Sequence, residues 1–156
     1  MIGLVSFALH SPDIESGEKM GLQVITALQR ESPNEFSALF PTLADFHGLM
    51  LRNSELYGKN LEEASKEFQK EFETVLSPSF RNSFEAIRKE GIRMGIDWRT
   101  AKLVSVEVPE NLQYAYSVVP VTIIFQAGKE EYRLKIEKAF VISGRWKISQ
   151  LMTLEK

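Results

Sequence analysis

Few residues in this sequence have the type and spacing that acid–base or metal chemistry requires. The chain contains two histidines, His10 and His47, and no cysteine. Asp45 and His47 are two positions apart on a predicted helix, so their side chains point to different faces and do not form a ligand pair by themselves. Glycine-rich phosphate loops, the zinc-binding helix motif and the nucleophile elbow are missing from the sequence. We therefore expect no metal, no cofactor and no catalytic residue, and keep His47 as a candidate ligand contact.

A lysine among apolar residues is the main candidate for binding. In a regular third strand Lys138 falls on the same face as Leu134, Ile136 and Phe140, and it lies beside Gln150 if the following turn has three residues. Burying an unpaired charge is costly, so the ammonium group of Lys138 either extends to the rim or pairs inside a pocket. In the second case Lys138, Gln150 and a helix carboxylate line the mouth of a cavity that holds a small ligand.

Tyr114 and Tyr116 are a further candidate pair on the second strand. Their hydroxyl groups could donate to a ligand, or their rings could pack or form a dimer contact. Both faces of this strand are apolar, so the face that the helices leave open needs cover from the first ten residues or from a second copy of the chain. The expected partners are therefore a second copy bound through the sheet and a small apolar or anionic ligand.

Helical spacing of apolar residues extends from about residue 16 to about residue 96. Ser16 can cap a first helix, and Thr42 with Asp45 has the spacing of a capping box that opens another. From residue 60 to residue 95 apolar side chains recur every three or four positions, with Glu and Lys on the other faces. Ser77-Pro78 interrupts this stripe and either kinks a helix or starts a new one. We expect four side chains of the stripe to be buried against the sheet: Phe68, Phe72, Phe80 and Phe84.

Alternation of apolar and polar residues replaces the helical spacing after residue 98. Four strands are predicted, at about 101–108, 112–126, 131–142 and 146–154, and the short turns between them favour an antiparallel meander. The middle hairpin pairs Phe125 with Tyr132, which gives one continuous apolar face. The apolar pattern favours a three-residue loop that pairs Ile142 with Trp146. Pro120 cannot donate to a ladder and predicts a bulge or an edge where the second strand bends.

The composition indicates one domain with a substantial core. The chain has 156 residues, 44% of them apolar, and a net charge of −2. This charge and the dispersed basic residues do not predict a nucleic-acid groove, and no apolar stretch reaches the roughly 20 residues that span a bilayer. The apolar start has no basic n-region, so it is either a structured segment or the remnant of a longer signal. We expect a cytoplasmic protein by default, and a periplasmic one in the second case.

The order of these elements resembles a known group of folds. Helices followed by a bent meander that ends in residues 138–148, KAFVISGRWKI, resemble the nuclear-transport-factor-2-like, cystatin-like α+β cone folds. The segments 40–45 and 95–98 resemble small uncharacterised Bacteroidetes proteins. The expected fold is a single α+β domain over residues 1–156, with helices (about 16–96) packed on a strongly curved four-stranded antiparallel sheet (about 101–154).

Folds of this group host both enzymes and binding modules, so the resemblance leaves the activity open. We expect a non-catalytic binding or interaction module. The alternative is a cofactor-free isomerase or dehydratase that acts on a small apolar substrate in the cone pocket. Its general base would be a pocket carboxylate or His47.

Overall fold

The computed structural model describes residues 16–52, 55, 58–109 and 118–156. Tyr114, Tyr116 and the first ten residues, which the sequence analysis singled out, lie outside the described residues. No helix among the described residues is long and apolar enough to cross a membrane.

The first helix, α1 (Gly17–Gln29), forms as the sequence predicts. The Ser16 Oγ accepts a hydrogen bond from the backbone N–H of Lys19 at 3.2 Å and so caps the helix. The face of α1 that points to the core is fully buried. Pro33 then begins a short helix, α2 (Pro33–Ser37). Proline at the first helical position costs no hydrogen bond, since that N–H has no partner inside a helix.

The capping box at Thr42 and Asp45 is confirmed. The backbone N–H of Thr42 donates to Asp45 Oδ2 at 2.8 Å, and the N–H of Asp45 donates to Thr42 Oγ1 at 3.1 Å. These bonds open α3 (Leu43–Arg52), where Phe46 and Met50 are half-buried and Leu51 is exposed. A 3₁₀ turn follows at Gly58–Asn60, where Gly58 has a φ of 55°.

The long apolar stripe forms two helices joined by a π-helical turn. They are α4 (Leu61–Glu71), the turn Phe72–Leu76 and α5 (Ser77–Arg93). Pro78 has no N–H to donate, and its ring would clash with the carbonyl four residues earlier in a regular helix. The wider turn before Pro78, in which the Ser77 N–H bonds to the Phe72 carbonyl, accommodates the proline and keeps the apolar stripe in phase.

The four phenylalanines of the stripe do not all pack on the sheet. Phe80 and Phe84 are buried in the core as expected. For Phe68 and Phe72 the expectation of full burial is wrong, because both are half-buried. Phe68 packs against Phe46 of α3, with ring centroids 4.7 Å apart, and Phe72 lies between Phe46 at 6.1 Å and the buried Phe80 at 6.3 Å. The reason is that α4 packs against α3, whereas α5 packs against the last strand.

The predicted antiparallel meander is confirmed. The strands are β1 (Lys102–Glu107), β2 (Val119–Ala127), β3 (Glu130–Ile142), β4 (Arg145–Ile148) and β5 (Met152–Glu155). The order is β1-β2-β3-β4, and β5 also pairs with β3, so β4 and β5 are the two halves of an interrupted fourth strand. The sheet curls into a half-barrel with the helices packed on it.

The register of the middle hairpin is also the predicted one. Phe125 pairs with Tyr132, Ile123 with Leu134, and Val121 with Ile136. The ladder shifts between Val119 and Val121, so the irregularity lies at Pro120, as the sequence indicated.

For the next hairpin, the expected three-residue loop and the expected pairing of Ile142 with Trp146 are both wrong, for the same reason. The turn has two residues, Ser143 and Gly144, both with positive φ, and it pairs Ile142 with Arg145. Such a turn matches the right-handed twist of the strands. In a regular β3, a three-residue loop would be needed to place Trp146 on the apolar face. Because β3 carries an extra residue opposite Pro120, the side chains after this residue face the opposite way, and a two-residue turn places Trp146 on that face.

This bulge also removes Lys138 from the apolar face. Ile136 is buried before the bulge and Ala139 after it, whereas Glu137 and Lys138 are exposed. The face therefore stays apolar without a lysine on it, and Trp146 and Ile148 of β4 extend it.

Two glycines let α1 approach β1 closely. A Cβ atom at Gly21 would lie 2.4 Å from a methyl carbon of Val106, and one at Gly17 would lie 3.0 Å from Val108. The contact between α1 and β1 closes the core above β2, and it fixes the helix face that borders the groove described next.

Candidate functional site

The predicted ligand residues Lys138 and Gln150 lie on adjoining segments. The backbone N–H of Ser149 donates to the Lys138 carbonyl at 2.9 Å, which joins the bulge of β3 to the interruption between β4 and β5. The Lys138 side chain is exposed and Gln150 is half-buried. Neither residue lines either of the two grooves described below.

His47 lies on α3 and is half-buried. Its Nε2 atom is buried and has no hydrogen-bond partner among the described residues. His47 does not line the two grooves. The structure therefore does not bring His47 together with Lys138 and Gln150 in either groove, and Tyr114 and Tyr116 lie outside the described residues.

A groove of about 570 Å³ lies between α1, the region of α2 and β4; we call it the first groove. One face of α1 forms its first wall, because Lys19, Leu22 and Arg30 lie on the same side of the helix. The β4 residues Arg145 and Trp146 contribute to the opposite wall. The volume is in the range of sites that take small molecules.

The first groove is strongly cationic for a chain with a net charge of −2. Among the described residues, four cationic side chains and one carboxylate, that of Glu35, line it. Around them lie the apolar side chains of Leu22, Leu39 and Trp146, and Leu22 is 54% exposed. The cationic residues are Lys19, Arg30, Arg145 and Lys147.

Lys147 fixes one wall of the first groove. Its side chain is only 12% exposed, and its Nζ atom donates to the Ala38 carbonyl at 3.1 Å and lies 3.7 Å from Asp45 Oδ2. The N–H of Ile148 donates to the Leu39 carbonyl at 3.0 Å, so the segment after α2 covers the free edge of β4. Lys147, and not Lys138, is thus the lysine that meets a helix carboxylate.

Arg30 and Glu35 border the groove at the end of α1. Their side chains form an ion pair at 3.3 Å, and both are substantially exposed. The Ser32 Oγ accepts from the Glu35 N–H at 3.1 Å and caps α2, which places Glu35 opposite the end of α1. An exposed pair of this kind adds little stability, so Arg30 can exchange Glu35 for another anion at small cost.

A second groove, of about 380 Å³, lies on the other side of Arg30, which lines both. Arg88 lines it with a side chain that is 15% exposed and bonded to the Glu31 carboxylate. The hydrogen bond from Arg88, together with its positive charge, holds the pKa of Glu31 below its usual range. The indole N–H of Trp98 donates to the Arg88 carbonyl at 3.1 Å and anchors the floor of the groove.

The remaining carboxylate of the second groove is also paired. Asp97 accepts hydrogen bonds from the Arg99 guanidinium at 2.9 and 3.0 Å and from the Arg99 backbone N–H at 3.1 Å. These bonds and the positive charge of Arg99 lower the pKa of Asp97. A carboxylate with a lowered pKa is a weak base near neutral pH, so Glu31 and Asp97 are suited to charge pairing and poorly suited to proton abstraction.

Sequence reasoning missed the cationic cluster of the first groove. Its members come from α1, from the end of that helix and from β4, which are distant in the sequence, so no local spacing connects them. One signal was available: SGRWK at residues 143–147 places Arg145 and Lys147 on either side of a tryptophan beside a tight turn. No three His, Asp or Glu side chains of the described ranges come together to hold a metal ion.

The comparisons with known proteins concern the fold. The sequence matches no model of a protein family and no curated protein. A solved structure, a cystatin-like protein from Ruminococcus gnavus, is similar with a TM-score of 0.54 at 15% sequence identity. The match covers 90% of this chain and 45% of that protein, so the chain corresponds to rather less than half of its length. The α+β arrangement of helices on a curled antiparallel sheet is therefore a cystatin-like fold.

Proposed function

We propose that this chain is a non-catalytic binding module whose first groove takes a ligand with an anionic group and an apolar part. The observation that supports the proposal is that four cationic side chains line this groove around the exposed side chain of Leu22, in a chain of net negative charge. Guanidinium groups bind carboxylates through charge-assisted hydrogen bonds, and the apolar wall excludes water around the rest of the ligand. We include in the proposal that the chain folds as a single α+β domain.

Decanoate is a suitable probe, because it combines a carboxylate with a flexible apolar chain. We expect it to bind in a calorimetric titration and to change the fluorescence of Trp146, whereas decanol and acetate, which each lack one of the two features, bind much more weakly. A charge-assisted hydrogen bond is worth about 1.5–3 kcal/mol. Arg145→Gln should therefore raise the Kd for decanoate by about tenfold or more.

Arg81→Gln is the matched control, because Arg81 is an exposed arginine that does not line the groove. It removes the same net charge from the protein. Equal affinities of the two variants for decanoate would show that the attraction is not local to the groove and would overturn the proposal. So would a wild-type protein that binds decanol as tightly as decanoate.

The contacts give no support to the alternative of a cofactor-free isomerase or dehydratase. Such an enzyme needs a general base that faces the substrate. Of the described carboxylates that line the grooves, Glu35 in the first is ion-paired with Arg30, and Glu31 and Asp97 in the second have lowered pKa values. The binding role is therefore the better supported of the two.

Three finer expectations remain proposals that rest on sequence pattern. They are kinship with the nuclear-transport-factor-2-like group, kinship with the Bacteroidetes proteins, and a homodimer through the sheet. The described outer face of the sheet carries charged side chains such as Arg133 and Lys135, so a dimer contact would have to centre on the region of Tyr114 and Tyr116. Light scattering tests it: a mass of about twice 17.8 kDa supports the dimer, and a monomer at high concentration refutes it.

A further inference from the structure

The two grooves meet at one residue. Arg30 lines both the first groove and the second, and it sits at the C-terminal cap of α1, where its N–H donates to the Thr26 carbonyl at 2.9 Å. The grooves therefore adjoin at Arg30, at the end of α1, and we call the two together the track. A ligand that fills only the first groove uses only part of this track.

Each groove has its own exposed apolar side chain. Leu22 in the first groove is 54% exposed, and Ile92 in the second is 61% exposed. They lie on different helices, α1 and α5, with Arg30 between the two grooves that they line. A partner that occupied both grooves would cover these two side chains and remove their apolar surface from water.

The length of the track fits an extended polypeptide. From Lys19 to Arg30 the first groove follows α1 for about 16 Å, at 1.5 Å per helical residue. An extended chain advances about 3.3 Å per residue, so about five residues cover this distance. The second groove has room for a few more residues. A simple carboxylic acid would therefore fill only part of the two grooves.

The charges indicate the composition of that polypeptide. Among the described residues, both carboxylates of the second groove, Glu31 and Asp97, are bonded to arginines. In the first groove Lys147 is paired with Asp45, so the exposed Arg145 and the exchangeable Arg30 are the cationic side chains that a ligand can reach. Acidic residues of a partner would therefore be attracted to the first groove and to Arg30. Apolar residues of the same partner would cover Leu22 and Ile92.

We propose that the two grooves together bind an extended acidic segment of another polypeptide, with one apolar side chain on Leu22 and a second on Ile92. This inference rests on the proposed function of the first groove and names the class of its ligand. The carboxylates of the segment pair with Arg145 and with Arg30, which exchanges its exposed bond to Glu35 for the ligand.

Two fluorescein-labelled peptides test the proposal by fluorescence anisotropy. The long peptide has about ten residues of Asp and Glu with two leucines about five positions apart, and the short one has about five residues with one leucine. We expect the long peptide to bind at least about tenfold more tightly, because it buries a second apolar side chain. Both should bind less tightly to Arg145→Gln.

Ile92→Ser separates the two grooves. It should lower the affinity for the long peptide by about tenfold and leave the affinity for the short peptide unchanged, because Ile92 lines only the second groove. Leu51→Ser is the matched control: Leu51 is a comparably exposed apolar residue on a helix, and it lines neither groove. It should change neither affinity.

The outcomes distinguish this inference from the function on which it rests. Equal affinity for the two peptides, or no effect of Ile92→Ser, refutes binding across both grooves but does not affect the proposal for the first groove. Binding of decanoate without binding of either peptide overturns the peptide ligand alone. If neither decanoate nor a peptide binds, or if Arg145→Gln changes nothing, both proposals are wrong.

Discussion

Replacing Gly91 by alanine tests the packing that fixes the floor of the second groove. A Cβ atom at Gly91 would lie 2.3 Å from Cζ2 of Trp98, 2.7 Å from its Cε2 and 2.8 Å from its Nε1. Trp98 is 2% exposed and is held on two sides, by its hydrogen bond to the Arg88 carbonyl and by stacking on Phe125 with ring centroids 5.5 Å apart. The ring therefore cannot move aside without loss of these contacts.

The magnitude follows from three opposing effects. Carbon atoms rest about 3.5 Å apart, so Gly91→Ala must separate the helix and the indole by about 1 Å. Overpacking of this kind costs about 1–3 kcal/mol, and loss of the Trp98 hydrogen bond adds about 1 kcal/mol. The better helix propensity of alanine returns about 1 kcal/mol. The variant should be less stable than the wild type by about 2 kcal/mol.

Urea denaturation followed by tryptophan fluorescence measures this loss. With an m-value of about 2 kcal/mol per molar, the midpoint should fall by about 1 M. Gly48→Ala on α3 is the matched control, since a Cβ atom there meets nothing within 4 Å. That variant should be more stable by about 0.5–1 kcal/mol. If Gly91→Ala also raised the midpoint, the close approach of Gly91 to Trp98 would be refuted.

Three further predictions follow from burial and charge. Phe80→Ala should cost about 3–5 kcal/mol of unfolding free energy, and Phe68→Ala clearly less because its ring is only half-buried; equal urea midpoints would contradict this difference. Lys138→Met should leave stability within about 0.5 kcal/mol, whereas Lys147→Met should cost about 1–3 kcal/mol because a nearly buried hydrogen bond is lost; thermal melts of the two variants decide. Because the folded state lowers the pKa of Glu31, its contribution to stability is present at neutral pH and is lost as the pH falls below about 4.5. Glu31→Gln should therefore be less stable than the wild type at pH 7, and the difference should shrink in denaturation curves at lower pH.

The parts of the fold that could be predicted depend on contacts within short stretches of chain. The cap at Ser16, the box at Thr42 and Asp45, and the pairing of Phe125 with Tyr132 each involve residues within about ten positions. At such distances the geometry of one helical turn or one tight hairpin determines the partners. The sequence pattern and the structure therefore agree at these positions.

The third strand shows where such reasoning fails. Alternation alone places Lys138 on the same side as Ile136, because the side-chain period in a strand is two. The bulge adds one residue opposite Pro120 and reverses every side chain after it, so an error of a single residue exchanged Lys138 for Ala139 in the core. Pro120 predicted the position of the bulge correctly. The extra residue, however, lies on the neighbouring strand β3, and the sequence of β2 does not specify this.

The candidate site could not be predicted, because it is built from the consequences of that bulge. With β3 reversed, a two-residue turn suffices, and Trp146 enters the core while Arg145 remains exposed at the groove. Lys147 then reaches Ala38 and Asp45, over a hundred positions away in the sequence, and holds the end of β4 against the segment that follows α2. A one-residue irregularity thus decides which cations line the groove, and the site depends on tertiary register more than on any local motif.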